Sequence, residues 1–154
     1  MMNSKITKTP PGTISEIRAF NRFYTDLIGL LDKHLLNSDY SLAEARILYE
    51  VHNGHSVQAS QIMTAMQIDK SYLSRLLKKL EKEGLISKTA SENDARANLL
   101  SLTTLGQNLF DTLNRASDEQ IDVLINRLPE QQQQKLVDHM QSIRKILNTI
   151  RNEK

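Results

Sequence analysis

The chain contains no cysteine. Disulfides, Cys-based zinc ribbons and thiol redox sensing are therefore excluded. Glycine is scarce, with five in 154 residues, which leaves little room for a loop that cradles phosphate. Neither a Gly-rich phosphate loop, a nucleophile elbow nor a paired-carboxylate motif is found. No enzymatic activity and no cofactor are expected. The longest unbroken apolar runs are only a few residues, and the polar N-terminus carries Thr9-Pro10-Pro11-Gly12. No transmembrane span, secretory signal or membrane partner is expected, and the expected location is the cytoplasm. Charge of one sign is not in large excess either: 20 Lys and Arg stand against 18 Asp and Glu.

What positive charge there is lies in one place. Between Lys70 and Lys88, six Lys and Arg face two acids, Glu81 and Glu83, for a local +4, whereas the whole chain carries +2. The same stretch has the pattern of an amphipathic helix: Leu73, Leu76, Leu77 and Leu80 recur at i, i+3, i+4 and i+7. Asp69 is placed to cap its first turn, and Ile68 and Leu73 occupy the positions of a hydrophobic staple. Gly84 supplies a left-handed ending that lets Leu85 touch Leu80. The opposite face carries Lys70, Ser71, Tyr72, Ser74, Arg75, Lys78, Lys79 and Lys82. A β-prone pair, Leu85-Ile86, then a polar turn, Ser91-Glu92-Asn93-Asp94, and a second apolar run, Asn98 to Leu102, predict a hairpin. A basic helix followed directly by a hairpin is the sequence form of a winged helix-turn-helix.

The flanking segments read as helices. Residues 1–12 are expected to be a flexible arm, and Thr13 with Glu16 forms a capping box that opens a long helix to about Leu35. Its expected buried stripe is Ile17, Phe20, Tyr24, Leu27, Leu31 and Leu35. Ser41 and Glu44 form a second capping box, opening a helix that ends near Asn53-Gly54. A third helix is predicted over Val57 to Met66, joined to the basic helix by Gln67-Ile68-Asp69-Lys70. Thr103 caps a long helix carrying apolar positions as far as Leu128, and Pro129 suits the first position of a last helix. There, Leu136, Met140, Ile143, Leu147 and Ile150 alternate at spacings of four and three, a seam about two heptads long. The Gln131–Gln134 run reads as a solvated face. The predicted fold class is mainly α with a small β-hairpin wing: a winged helix-turn-helix lobe, 41–103, and dimerisation helices, 13–36 and 104–150, within one domain, 13–154.

This order of elements, with the phrase SYLSRLLKKLEKEGLI, the triplet Asp94-Ala95-Arg96 and the run Leu102-Thr103-Thr104-Leu105-Gly106, resembles the MarR family of bacterial transcriptional regulators. The resemblance covers residues 14 to about 150 and is most specific in the helix and wing. It implies a homodimer whose first and last helices interleave, with Ile17 joining the seam on the last helix. Two winged helices would then read a pseudo-palindrome in double-stranded DNA, usually as a repressor. It also implies release of DNA on binding a small, often aromatic or phenolic, effector. The segments IRAFNRFYTDLIGLL and SLAEARILYEVHN further resemble the regulator half of fusions to an acetyltransferase. This chain stops at Lys154, so no such domain is expected in it. A non-specific architectural DNA-binding protein is the other alternative.

For the basic helix, a solvated charged face competes with DNA contact, and its position between a short turn and a hairpin favours contact. Residues near its N-terminus can reach base edges, and the fork of Arg75 suits guanine O6 and N7. Lys78 and Lys79 lie further along, where phosphate is the partner. In the wing, Lys88 adds charge; the resemblance makes Arg96 the side chain entering the minor groove, with Asp94 bracing the loop. Phe20, Tyr24, Tyr49 and His52 are candidates for the effector pocket, although helical spacing suits the aromatics equally to core packing. His52 and His55 form the only metal-like pair, and zinc needs three or four converging ligands. No metal site is expected.

Overall fold

The computed structural model describes residues 7–35, 38–93 and 97–152. Along it run α1 (Pro11–Leu35), α2 (Leu42–Gly54), α3 (Ala59–Met66), α4 (Lys70–Lys82), β1 (Ile86–Ala90), β2 (Asn98–Leu102), α5 (Thr104–Ile125) and α6 (Glu130–Asn152). The chain divides into two compact units, Met1–Leu113 and Asn114–Lys154, with the boundary inside α5. The mainly helical class with one antiparallel hairpin is the one expected.

The first unit holds the core. Ile47, Leu48 and Val51 of α2, Ile62 of α3, the four leucines of α4, and Leu85, Ile86 and Leu100 of the hairpin form one buried cluster with Val57 and Leu113. Local signals built α4 as the sequence predicts. The Asp69 carboxylate accepts the Tyr72 amide at 3.1 Å. At the other end Gly84 has φ 75°, and the Leu85 and Gly84 amides reach back to the Leu80 and Glu81 carbonyls at 2.9 and 3.0 Å. That pair of bonds is a Schellman ending. β1 and β2 pair antiparallel with Ile86 opposite Leu102 and Lys88 opposite Leu100.

Three local expectations change. First, α1 begins at Pro11, with the Ile14 amide bonded to the Pro10 carbonyl at 3.2 Å, so Thr13 and Glu16 lie inside the helix and do not cap it. Proline lacks an amide hydrogen and has its φ preset, which suits it to open the helix. The expected arm therefore gives up Pro11 and Gly12, and residues 1–6 lie outside those described. Second, the N-terminal part of the stripe expected to be buried on α1 is open in the single chain, with Ile17 55% exposed and Phe20 47%; the side chains of Leu31 and Leu35 lie outside those described. Third, Val57 is not helical. It exchanges two backbone hydrogen bonds with Leu100, at 3.0 and 2.7 Å, adding a short third rung to the hairpin. Instead α3 starts at Ala59, where Gln58 and Gln61 cap each other reciprocally.

The base of the hairpin is tied to the start of α5 around one carbonyl. Leu85 O accepts the Thr103 amide at 3.1 Å and its hydroxyl at 3.2 Å. The same hydroxyl bonds the Gly84 carbonyl at 2.6 Å and accepts the Gly106 amide at 3.0 Å. A methyl at Gly106 would run into the Leu85 carbonyl, which explains the glycine in the run ending at Gly106. Gly106→Ala is therefore expected to cost roughly 1–3 kcal/mol, as overpacking against an unyielding neighbour does. Urea denaturation monitored by circular dichroism would measure it, and a midpoint matching the parent would refute the account.

In the second unit, α5 ends at Ile125, so Leu128 falls in the turn and not on the helix. The residue before a proline is steered away from helical geometry, and Pro129 follows Leu128. Pro129 stands just before α6, its carbonyl accepting the Gln132 and Gln133 amides at 2.9 and 3.0 Å. Gln133 is not merely a solvated side chain: its amide group donates to the Ile125 and Leu128 carbonyls at 3.2 and 2.9 Å, satisfying the exposed end of α5. No residue of α6 is buried. Met140, Ile143, Leu147 and Ile150 are 40–61% exposed, and Leu136 is half-buried.

Candidate nucleic-acid interface

In α4 the four leucines point into the core and leave the rest of the surface outward. Ser71, Arg75, Lys78 and Lys82 recur at i, i+4, i+7 and i+11, the line diametrically opposite that stripe. All four are exposed. Lys70, Lys78 and Lys82 form no ion pair among the described residues. The Arg75 guanidinium lies 5.6 Å from the centre of the Tyr72 ring, close enough for a cation–π contact that limits its rotamers without neutralising it. Lys82 was not among the predicted contact residues, although its spacing from Arg75 and Lys78 carried the signal.

The two flanks of α4 differ. On one, Lys70, Ser74 and Lys78 edge a cleft of about 440 Å³ between α3, α4 and the hairpin, floored by Met63, Leu73, Leu77 and Leu100. Lys88 also edges it, with its ammonium 3.3 Å from Glu81. On the other flank Lys79, expected to meet phosphate, has a partner within the chain. Its ammonium donates to both oxygens of Glu44 on α2, at 3.1 and 2.9 Å. It also lies 5.6 Å from the centre of the Tyr40 ring. Hydrogen bonding to Glu44 holds the Lys79 ammonium above the usual lysine range. A raised lysine pKa means that the pair's contribution is fully present at neutral pH and is lost only as pH rises through that value. Burial, then a hydrogen bond to Glu83, pushes the Tyr40 hydroxyl up as well.

The wing tip was predicted to present Asp94 and Arg96; both lie outside the described residues. The effector candidates fall into two groups. Phe20 and Tyr24 stack on α1 with centres 5.6 Å apart. Tyr49 and His52 of α2 instead meet Phe110 of α5, at 6.5 and 4.3 Å, and His52 Nδ1 is 3.0 Å from Gln107 Oε1. Phe110 and Gln107 were not anticipated, because nothing local ties them to α2. Among the described residues no cluster of three His, Asp or Glu is placed to hold a metal, and no helix is long and apolar enough to cross a membrane.

A short helix, a tight turn, a second helix with a cationic outer line, and a hairpin tied to its end together define a winged helix-turn-helix protein. Residues 40–97 match the sequence model of the MarR family. The match takes in α2, α3, α4 and β1. Among curated proteins the chain is similar to the HTH-type transcriptional regulator BilQ of Clostridium symbiosum, 27% identical over 85 residues, 55% of this chain and 59% of that protein. It is also similar to the HTH-type transcriptional regulator SarZ of Staphylococcus haemolyticus, 27% identical over 86 residues, 56% of this chain and 58% of that one. The chain thus spans less than two thirds of these relatives. Among solved structures, a mutant MarR from E. coli complexed with operator DNA has the same fold, with a TM-score of 0.72 at 18% identity, covering 89% of this chain and 99% of that one.

Proposed function

We propose that this chain is a sequence-specific, double-stranded DNA-binding transcriptional regulator of the cytoplasm, acting as a homodimer on a pseudo-palindromic operator. One observation carries the reading: the line Ser71, Arg75, Lys78, Lys82, with no counter-ion among the described residues, on the outer face of a helix that a hairpin and a second helix hold in place. Arg75 reads a base edge in the major groove, and the lysines position the backbone. Arg96, braced by Asp94, enters the flanking minor groove. The names of similar proteins support the regulatory role, and the operator complex of the E. coli MarR mutant supports the DNA. Residues 41–103 form the reading lobe in this account. Selecting binding sites from random DNA tests it: an enriched palindrome is expected, and uniform affinity across unrelated sequences would leave only an architectural role.

The dimer follows from the apolar surface on α1 and α6. Ile17, Phe20, Met140, Ile143, Leu147 and Ile150 are each at least 40% exposed. At roughly 25 cal/mol per Å² of apolar surface, covering two such faces with a second copy is the favourable outcome. Light scattering at micromolar concentration is expected to return twice the chain mass of 17.6 kDa; a folded species at the single-chain mass would refute the dimer. The regulator represses, and a small aromatic or phenolic effector seated beside Tyr49, His52 and Phe110 releases it. A reporter driven by the selected operator, read with and without phenolic acids, tests sign and response together.

A further inference from the structure

We propose that Glu44 is a positioning residue for DNA reading: by clamping Lys79 it withdraws that lysine from phosphate and fixes the far half of α4 against α2. The inference rests on the DNA-binding reading above and adds to it a division of labour within the basic helix.

The geometry separates Lys79 from the other cations of α4. Lys79 stands next to the buried Leu80 and three residues from the buried Leu76, at the seam between the core stripe and the outer face. Glu44 is only 5% exposed, although it is a carboxylate. Its oxygens take two bonds from Lys79, and the Ser41 hydroxyl lies 3.2 Å from one of them. If Lys79 swung out to a phosphate, Glu44 would be left buried with a hydroxyl as its remaining described partner. Stranding a buried charge costs more than an exposed phosphate contact returns. A second contact holds the same ammonium, which lies 5.6 Å from the centre of the Tyr40 ring just before α2. Arg75 is one turn before Lys79 on the same helix, so slack at this seam would spread into the residue that reads a base.

Two measurements test the strut, one of them free of DNA. Amide hydrogen exchange across Lys78–Lys82 is expected to speed up in Glu44→Gln and in Lys79→Met, with no further gain in the double variant. Unchanged exchange in both single variants would overturn the proposal. Operator affinity over a salt series supplies the second readout. Lys78→Ala should flatten the salt slope by about one per subunit. Lys79→Met should leave the slope unchanged while weakening the selected operator roughly three- to tenfold, and unrelated DNA much less. Lys79→Arg, which keeps a donor fork for Glu44, should restore most of the affinity and guards against a mere folding defect. A slope flattened by Lys79→Met as much as by Lys78→Ala would overturn the proposal, as would tighter binding by Glu44→Gln. Failure of the parent protein to select any DNA would refute the DNA-binding reading itself, while the exchange experiment would still decide whether the strut exists.

Discussion

Arg75→Ala is expected to weaken operator binding by roughly 1–3 kcal/mol per half-site and to relax preference at one position in each. Two symmetric half-sites count the loss twice, which makes this the largest single effect on recognition. The expectation follows from placement. Arg75 lies on the line opposite the leucine stripe, carries no counter-ion among the described residues, and is steered by the Tyr72 ring beneath it. Arg75→Lys should rescue little, because an ammonium lacks the planar fork that matches two acceptors on one base. Titrating the variants against a series of single mismatches in the selected operator separates these roles. An equal loss on every sequence would assign Arg75 to the backbone and sink its part as a reader.

The second large effect lies in the core. Leu80→Ala is expected to destabilise the fold by roughly 2–5 kcal/mol, the range for emptying a fully enclosed leucine site. Leu80 is 0% exposed and sits in one cluster with Ile47, Leu48 and Leu85, while its own carbonyl takes the Leu85 amide at 2.9 Å. The cavity would therefore open where α4 turns into the hairpin, and packing should suffer at both. Chemical denaturation measures the loss, and a change below about 1 kcal/mol would mean that the surroundings collapse into the space.

Much of α4 was legible because its signals are local. A capping aspartate, a leucine stripe and a terminal glycine followed by leucine act within a few residues, and each does in the structure what its spacing implies. The same holds for Ser41, which accepts the Glu44 amide at 3.2 Å, and for the antiparallel pairing of the wing. What escaped depends on partners distant in sequence. Val57 looks like a helix residue until Leu100 arrives to pair with it. Lys79 looks like any other surface lysine until Glu44 claims it. His52 gains its neighbours Gln107 and Phe110 only when α2 meets α5. The start of α1 is a different case. Pro11 was a local signal, and the stronger-looking Thr13–Glu16 pair concealed it. The apolar spacing on α1 predicted a buried stripe, yet Ile17 and Phe20 are exposed in the single chain, because spacing alone does not say what covers a face.

The rung between Val57 and Leu100 also bears on the order in which the lobe assembles. Those two residues close a loop that contains α3, α4 and β1. Closing so long a loop is entropically costly until the enclosed helices have condensed. The rung is thus expected to form late, once α3 and α4 have docked. Because strand pairing has a period of two, it also forbids slippage: moving β2 by one residue would expel Leu100 from the core and admit a neighbour in its place. The last backbone contacts of the wing are therefore expected to close only once α4 is seated in its final register.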